Sequence, residues 1–156
     1  MITYHLNGRS PRGFEEKDLS RIAKGVFPFL KRPSKNSTYV VSIQWVSEAE
    51  MQNLNRVYRK KNRPTDVLAF CPGESMDGDS FPRHASEHEK DLGDLFICSS
   101  YARKEAKRRS IAFHEEIVRL IAHGTLHLMG YDHATDAEEE RMFGFQEQVV
   151  DRIMRV

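Results

Sequence analysis

Residues 123–133 read HGTLHLMGYDH, and three of the chain's seven histidines fall within them. His123 and His127 are four apart, so on a helix they share one face, one turn above the other. Gly130 follows at the distance where glycine ends a helix by taking positive φ. A turn there brings His133 back toward the first two. Three neutral imidazoles form a facial ligand set for Zn²⁺ with one coordination position open, and a water held there has a pKa of about 7. The alternative is a helix that happens to carry two histidines, with a third in the next loop. It leaves the placement of Gly130 unexplained.

The spacing matches the metzincin protease pattern H-E-x-x-H-x-x-G-x-x-H in every slot but one. Gly124 stands where the protease has its glutamate. Inside a helix it costs about 1 kcal/mol relative to alanine. A bare backbone there leaves space, for a bulky substrate or for close packing. Glu116 lies on the same face as His123 but seven residues earlier, roughly 10.5 Å along the axis. That is too far to share a water, so a structural ion pair or hydrogen bond is expected of it. Without a carboxylate base, the chemistry rests on the metal and on nearby positive charge. A phosphodiester, whose transition state gains negative charge, suits such a site better than a peptide does. The cations for it cluster in 56–63, RVYRKKNR: Arg56, Arg59, Lys60, Lys61 and Arg63. Taken singly, most of these read equally well as solvated surface.

The elements that position these residues are legible in outline. The 156 residues fit one domain, 1–156, large enough to fold without staples. Cys71 and Cys98 form no C-x-x-C pair, which fits a reducing compartment. No apolar run reaches membrane-span length, and MITYHLNGRS lacks the order of a signal peptide. A soluble, cytoplasmic protein with no membrane partner is the expectation. Residues 1–110 carry 20 Lys+Arg against 14 Asp+Glu, while 111–156 carry 4 against 9. A basic front part beside a metal site is compatible with a polyanionic substrate.

Alternation predicts a strand over Ile2–Leu6, and apolar spacing a helix from about Phe14 to Leu30, weakened by Gly25 and Pro28. A strand follows at Thr38–Val46. The capping box Ser47/Glu50 opens a helix to about Arg59, which Pro64 prevents from continuing. Val67–Phe70 and Asp94–Cys98 read as strands around a long polar stretch, 72–91, that contains His84 and His88. Ser99 or Ser100 caps a helix to about Arg109, and a largely buried helix runs from Ser110 or Ile111 to Met129. Thr135 with Glu138 caps a last helix, about 136–154. The order predicts an α+β fold, a four-stranded mixed sheet packed with helices, its central helix carrying the histidines. Asp132, Thr135 and Asp136 are the neighbours available to orient His133, with a plain turn role equally open to Asp132.

Three stretches together, HGTLHLMGYDH (123–133), YRKKNRPTDVLAF (58–70) and LGDLFIC (92–98), resemble the YbeY family of bacterial endoribonucleases. The resemblance implies a zincin-like fold, one Zn²⁺ on His123, His127 and His133, and cleavage of single-stranded RNA. It also implies roles in 16S ribosomal RNA maturation and quality control on the small ribosomal subunit, and carries the family's required arginine onto Arg59. Lys60, Lys61 and Arg63 then become strand-guiding cations, with Arg108 and Arg109 as further candidates. The family's VLSFP is VLAFCP here, with Ala69 for serine and Cys71 inserted before Pro72. Whether water or the ribose 2′-hydroxyl attacks stays open. Two rivals remain: a zinc metallopeptidase, favoured by the spacing and opposed by Gly124, and a non-catalytic ribosome-assembly factor with a structural zinc.

Overall fold

A computed structural model describes residues 1–74, 86 and 88–155. In chain order the elements are β1 (Ile2–Asn7), α1 (Asp18–Val26), a 3-10 turn (Phe27–Phe29), β2 (Thr38–Trp45), α2 (Glu48–Arg59), β3 (Val67–Phe70), β4 (Glu89–Ile97), α3 (Ser99–Arg108), α4 (Phe113–Leu128) and α5 (Asp136–Met154). The sheet order is β1-β2-β4-β3. The first three strands are parallel, and β3 is an antiparallel edge paired Val67 to Ile97 through Phe70 to Asp94. This is the four-stranded mixed sheet with helices that the sequence predicts.

Local signals set several boundaries as expected. Both capping boxes form: Ser47 and Glu50 exchange backbone and side-chain bonds at α2, as do Thr135 and Glu138 at α5. Four other boundaries differ. The helix expected over 14–30 is only α1, because Pro28 supplies no N–H and the chain tightens into the 3-10 turn. Phe14 lies ahead of the helix yet is buried, its ring 5.8 Å from that of Trp45. β4 begins at Glu89, not Asp94, so the end of the polar 72–91 stretch is strand. Thr38–Val40 of β2 supply its ladder partners, and pairing of this kind overrides composition. The link between α3 and α4 is longer than expected, with Ser110 at φ 56°. The cap of α3 is Cys98, whose side chain makes no capping bond to the helix backbone, and not a serine.

α4 is the buried centre. Ile117, Val118, Ile121, Ala122 and Leu126 are each fully enclosed. On one side it meets the sheet and on the other α5. Tyr4 of β1 reaches it through a 2.8 Å hydrogen bond to Thr125 Oγ1, and burial pushes that phenol well above its usual range. At the N-terminal end, buried Asp18 of α1 binds His114 Nε2 at 2.8 Å and Arg21 at 2.7 Å. No helix among the described residues is long and apolar enough to cross a membrane.

Gly93 sits where β4 bulges opposite Val40/Val41, at φ 127°. A β-carbon there would stand 2.2 Å from the Phe70 carbonyl oxygen and 2.9 Å from Leu128 Cδ2. A strand carbonyl cannot yield that distance. Gly93→Ala is expected to cost about 3 kcal/mol or more. Thermal unfolding should show this as a fall in Tm of roughly 6–12 °C for a chain of this size.

Candidate metal centre and the cleft beside it

His123 and His127 lie in the last two turns of α4. The helix ends in a Schellman turn: Tyr131 N–H donates to Leu126 O at 3.1 Å and Gly130 N–H to His127 O at 3.0 Å. Gly130 has φ 95°, the conformation its spacing predicts. Tyr131 then anchors the returning chain. Its hydroxyl donates to Phe29 O at 2.6 Å, and its ring meets Phe145 edge-on at 5.4 Å. His133 is thereby folded back. Its ring centroid lies 6.0 Å from that of His123 and 6.2 Å from that of His127. The rings converge without closing: among the described residues no three His, Cys, Asp or Glu side chains form a finished cage.

The donors themselves suit a divalent ion. Burial holds His123 below the usual imidazole range, and the two neighbouring imidazoles add to this. A neutral ring results. His123 Nδ1 meets Gln146 Oε1 at 2.8 Å. The amide's orientation follows from Gln146 Nε2, which donates to Glu147 Oε1 at 2.9 Å. Oε1 can only accept, so Nδ1 carries the proton and Nε2 keeps its lone pair for a metal. His127 Nδ1 is buried with no hydrogen-bond partner among the described residues. His133 is exposed on its loop.

The orienting residue is thus Gln146, which the sequence did not reveal, because it stands 23 positions from His123 on another helix. The local candidates act otherwise. Asp132 Oδ1 accepts the His133 backbone N–H at 2.7 Å, the turn role. Thr135 caps α5, and Asp136 lies in its first turn. Glu116 is buried in an ion pair with Arg109 at 3.0 Å, as its distance from His123 implied. Burial pushes its carboxyl up.

The expected cations at the end of α2 are held by that helix and by β3. Arg59, in the last turn of α2, donates to Ala69 O at 2.8 Å and lies 4.7 Å over the Phe70 ring, with Glu74 at 3.8 Å. Its contacts are with β3 and Glu74, not with the imidazoles. Lys60, Lys61 and Arg63 are exposed. Lys60 closes α2 at φ 60°, its Nζ donating to Val57 O. Arg108 is paired with Glu105 and Arg109 with Glu116, so both are already engaged. His88 is exposed in the turn before β4, and His84 lies outside the described residues.

The family model of Endoribonuclease YbeY matches residues 6–154. The chain belongs to the YbeY family. It is similar to the endoribonuclease YbeY of Halalkalibacterium halodurans, 38% identical over 113 residues, 72% of this chain and 71% of the relative. The Staphylococcus carnosus YbeY is likewise 38% identical over 114 residues, covering 71% and 70%. A Thermotoga maritima protein solved in solution shares the fold, with a TM-score of 0.57 at 28% identity over 98% of this chain and 89% of that one. YbeY proteins are metal-dependent endoribonucleases, which bears out the enzyme class the sequence implied.

In this YbeY chain Gly124 resolves one of the two openings its sequence left. A β-carbon there would stand 2.6 Å from Leu95 Cδ2 of β4. The missing side chain permits close helix–sheet packing and opens no room for substrate. Leu95 is fully buried and has little freedom to retreat. Gly124→Ala is expected to destabilise by about 1–2 kcal/mol, overpacking outweighing the gain in helix propensity. The double variant with Leu95→Ala should lose less than the sum of the single losses, which denaturant midpoints will show.

Proposed function

We propose that this YbeY chain is a zinc-dependent endoribonuclease acting on single-stranded RNA in the cytoplasm, in small-subunit (16S) ribosomal RNA maturation and quality control. The observation that carries the reading is the convergence of His123, His127 and His133 at the end of α4, in a chain of this family. These three residues would hold the ion, which when bound supplies a Lewis acid and lowers the pKa of a water. Gln146 presents the His123 ring in the tautomer that binding needs.

Arg59 stabilises negative charge on the scissile phosphate. Its side chain is 36% exposed, and one N–H is tethered to Ala69 O. An RNA phosphate can replace the long contact to Glu74 without releasing the guanidinium from β3. Lys60, Lys61 and Arg63 draw the strand along the end of α2 by charge. The peptidase reading loses its support at Gly124, since that slot faces Leu95 and gives a carboxylate no path to the site.

Purified protein should cleave single-stranded RNA with Zn²⁺ present. It should leave double-stranded RNA and casein intact, and lose activity on chelation or in His123→Ala. Folded, zinc-loaded protein without cleavage would favour the assembly-factor rival. Arg59→Ala is expected to lower kcat about 10²–10³-fold, the range for losing one charge-stabilising donor. Each of Lys60→Ala, Lys61→Ala and Arg63→Ala should instead weaken binding, reducing the slope of log K against log salt by up to about 0.7. Gln146→Leu is expected to weaken Zn²⁺ binding about 10–100-fold in chelator competition, and Gln146→Glu to restore it.

A further inference from the structure

A cavity of about 360 Å³ adjoins His123, within the roughly 300–1,000 Å³ of small-molecule sites. Its wall includes Asp66 at the threshold of β3, Arg109, Glu116 and Arg119 around α4, and Phe143 and Glu147 on α5. Phe143 is a large apolar side chain left 40% exposed, its ring 5.9 Å from that of His123 at 27°. The cavity holds three carboxylates against two guanidiniums, and the guanidiniums are already paired, Arg109 with Glu116 and Arg119 with Glu147. That balance repels a phosphate. Arg119 is 9% exposed and its NH1 is enclosed, so the half-open ring of Phe143 is the contact this wall offers an occupant. A neutral, planar group that stacks on that ring fits such a wall.

We propose that this cavity is a nucleobase subsite, in which an unpaired base beside the scissile phosphate stacks on Phe143. The inference rests on RNA as the substrate and supplies a cause for single-strand selectivity. A base within a duplex has both faces stacked and its edge paired, so it cannot enter. His123 lines the cavity and also belongs to the proposed metal centre, which puts the occupant within a nucleotide of the cleaved bond.

The test uses short single-stranded RNAs with 2-aminopurine at successive positions, mixed with excess zinc-loaded protein. Fluorescence is read on binding, and cleavage is read on the same samples. Quenching is expected at one position next to the cut. Phe143→Ala should abolish it and weaken binding about tenfold, as loss of a stacked base does, while Phe143→Tyr retains both. Phe143→Leu keeps an apolar contact to His123 without the ring. It should lose the quenching with metal content unchanged, which separates stacking from any effect on the ion. Position-specific quenching without cleavage would sink the nuclease reading and leave the subsite standing. Cleavage with no position quenched, or quenching that survives in Phe143→Ala, overturns the subsite.

Discussion

A β-carbon at Gly124 would overlap Leu95 Cδ2, and one at Gly93 would overlap Phe70 O and Leu128 Cδ2. These two absences, one on α4 and one on β4, let the C-terminal half of the helix settle directly onto the strand pair β4–β3. The depth of that contact decides where the imidazoles stand. Position 124 points into the sheet, and His123 precedes it by roughly 100° around the helix axis. Lifting the helix by one methyl group would move His123 away from Asp66 at the sheet edge. The same packing explains why no acidic residue follows His123. A glutamate there would be buried against Leu95 without a partner, at a cost of several kcal/mol unless protonated.

The second dependence is electrostatic. Arg119 is almost buried, and its charge is matched by Glu147 at 2.8 Å and Glu115 at 2.9 Å. An ion pair taken out of water gains little net stability, because desolvation offsets the Coulomb attraction. Its consequence here is orientation. Arg119 holds Glu147 below the usual carboxylate range. The ionised Glu147 accepts from Gln146 Nε2, and the amide is left with only its oxygen to offer His123. An apolar replacement of the ion pair would free that amide to rotate and present either end to the ring. The tautomer of a proposed metal ligand thus depends on a guanidinium two residues removed from it.

What could be read from the sequence was local. Ser47/Glu50, Thr135/Glu138 and Gly130 act through partners within five residues, and each does in the structure what its spacing predicts. The histidine face of α4 was legible for the same reason, as it follows from helix geometry alone. What was missed is non-local. β4 extends back through Glu89–Asp91, polar residues that are strand because β2 lies alongside. Gln146 and Phe143 reach His123 only because α5 folds back over α4. Gly124 was legible as a departure from the protease pattern, but its meaning depended on Leu95, which no spacing rule connects to it.

The uneven charge along the chain takes on a spatial meaning in this fold. The basic residues Arg59, Lys60, Lys61 and Arg63 close α2 near the β3 edge. The acidic residues Asp136, Glu139, Glu140 and Glu147 line a hollow with Phe143 on α5. The two groups stand on different elements, and the acidic one adjoins His123 through Phe143 and Glu147. A polyanion approaching such a pair of walls is drawn to the first and held off the second, an orienting effect over about 8–10 Å at ordinary salt. On the proposed reading the phosphates run along the α2 side and the bases turn toward α5, where the exposed ring stands. A uniformly basic cleft would bind RNA more tightly but leave its backbone free to lie in either direction. On that reading the acidic half of the chain contributes orientation where the basic half contributes affinity.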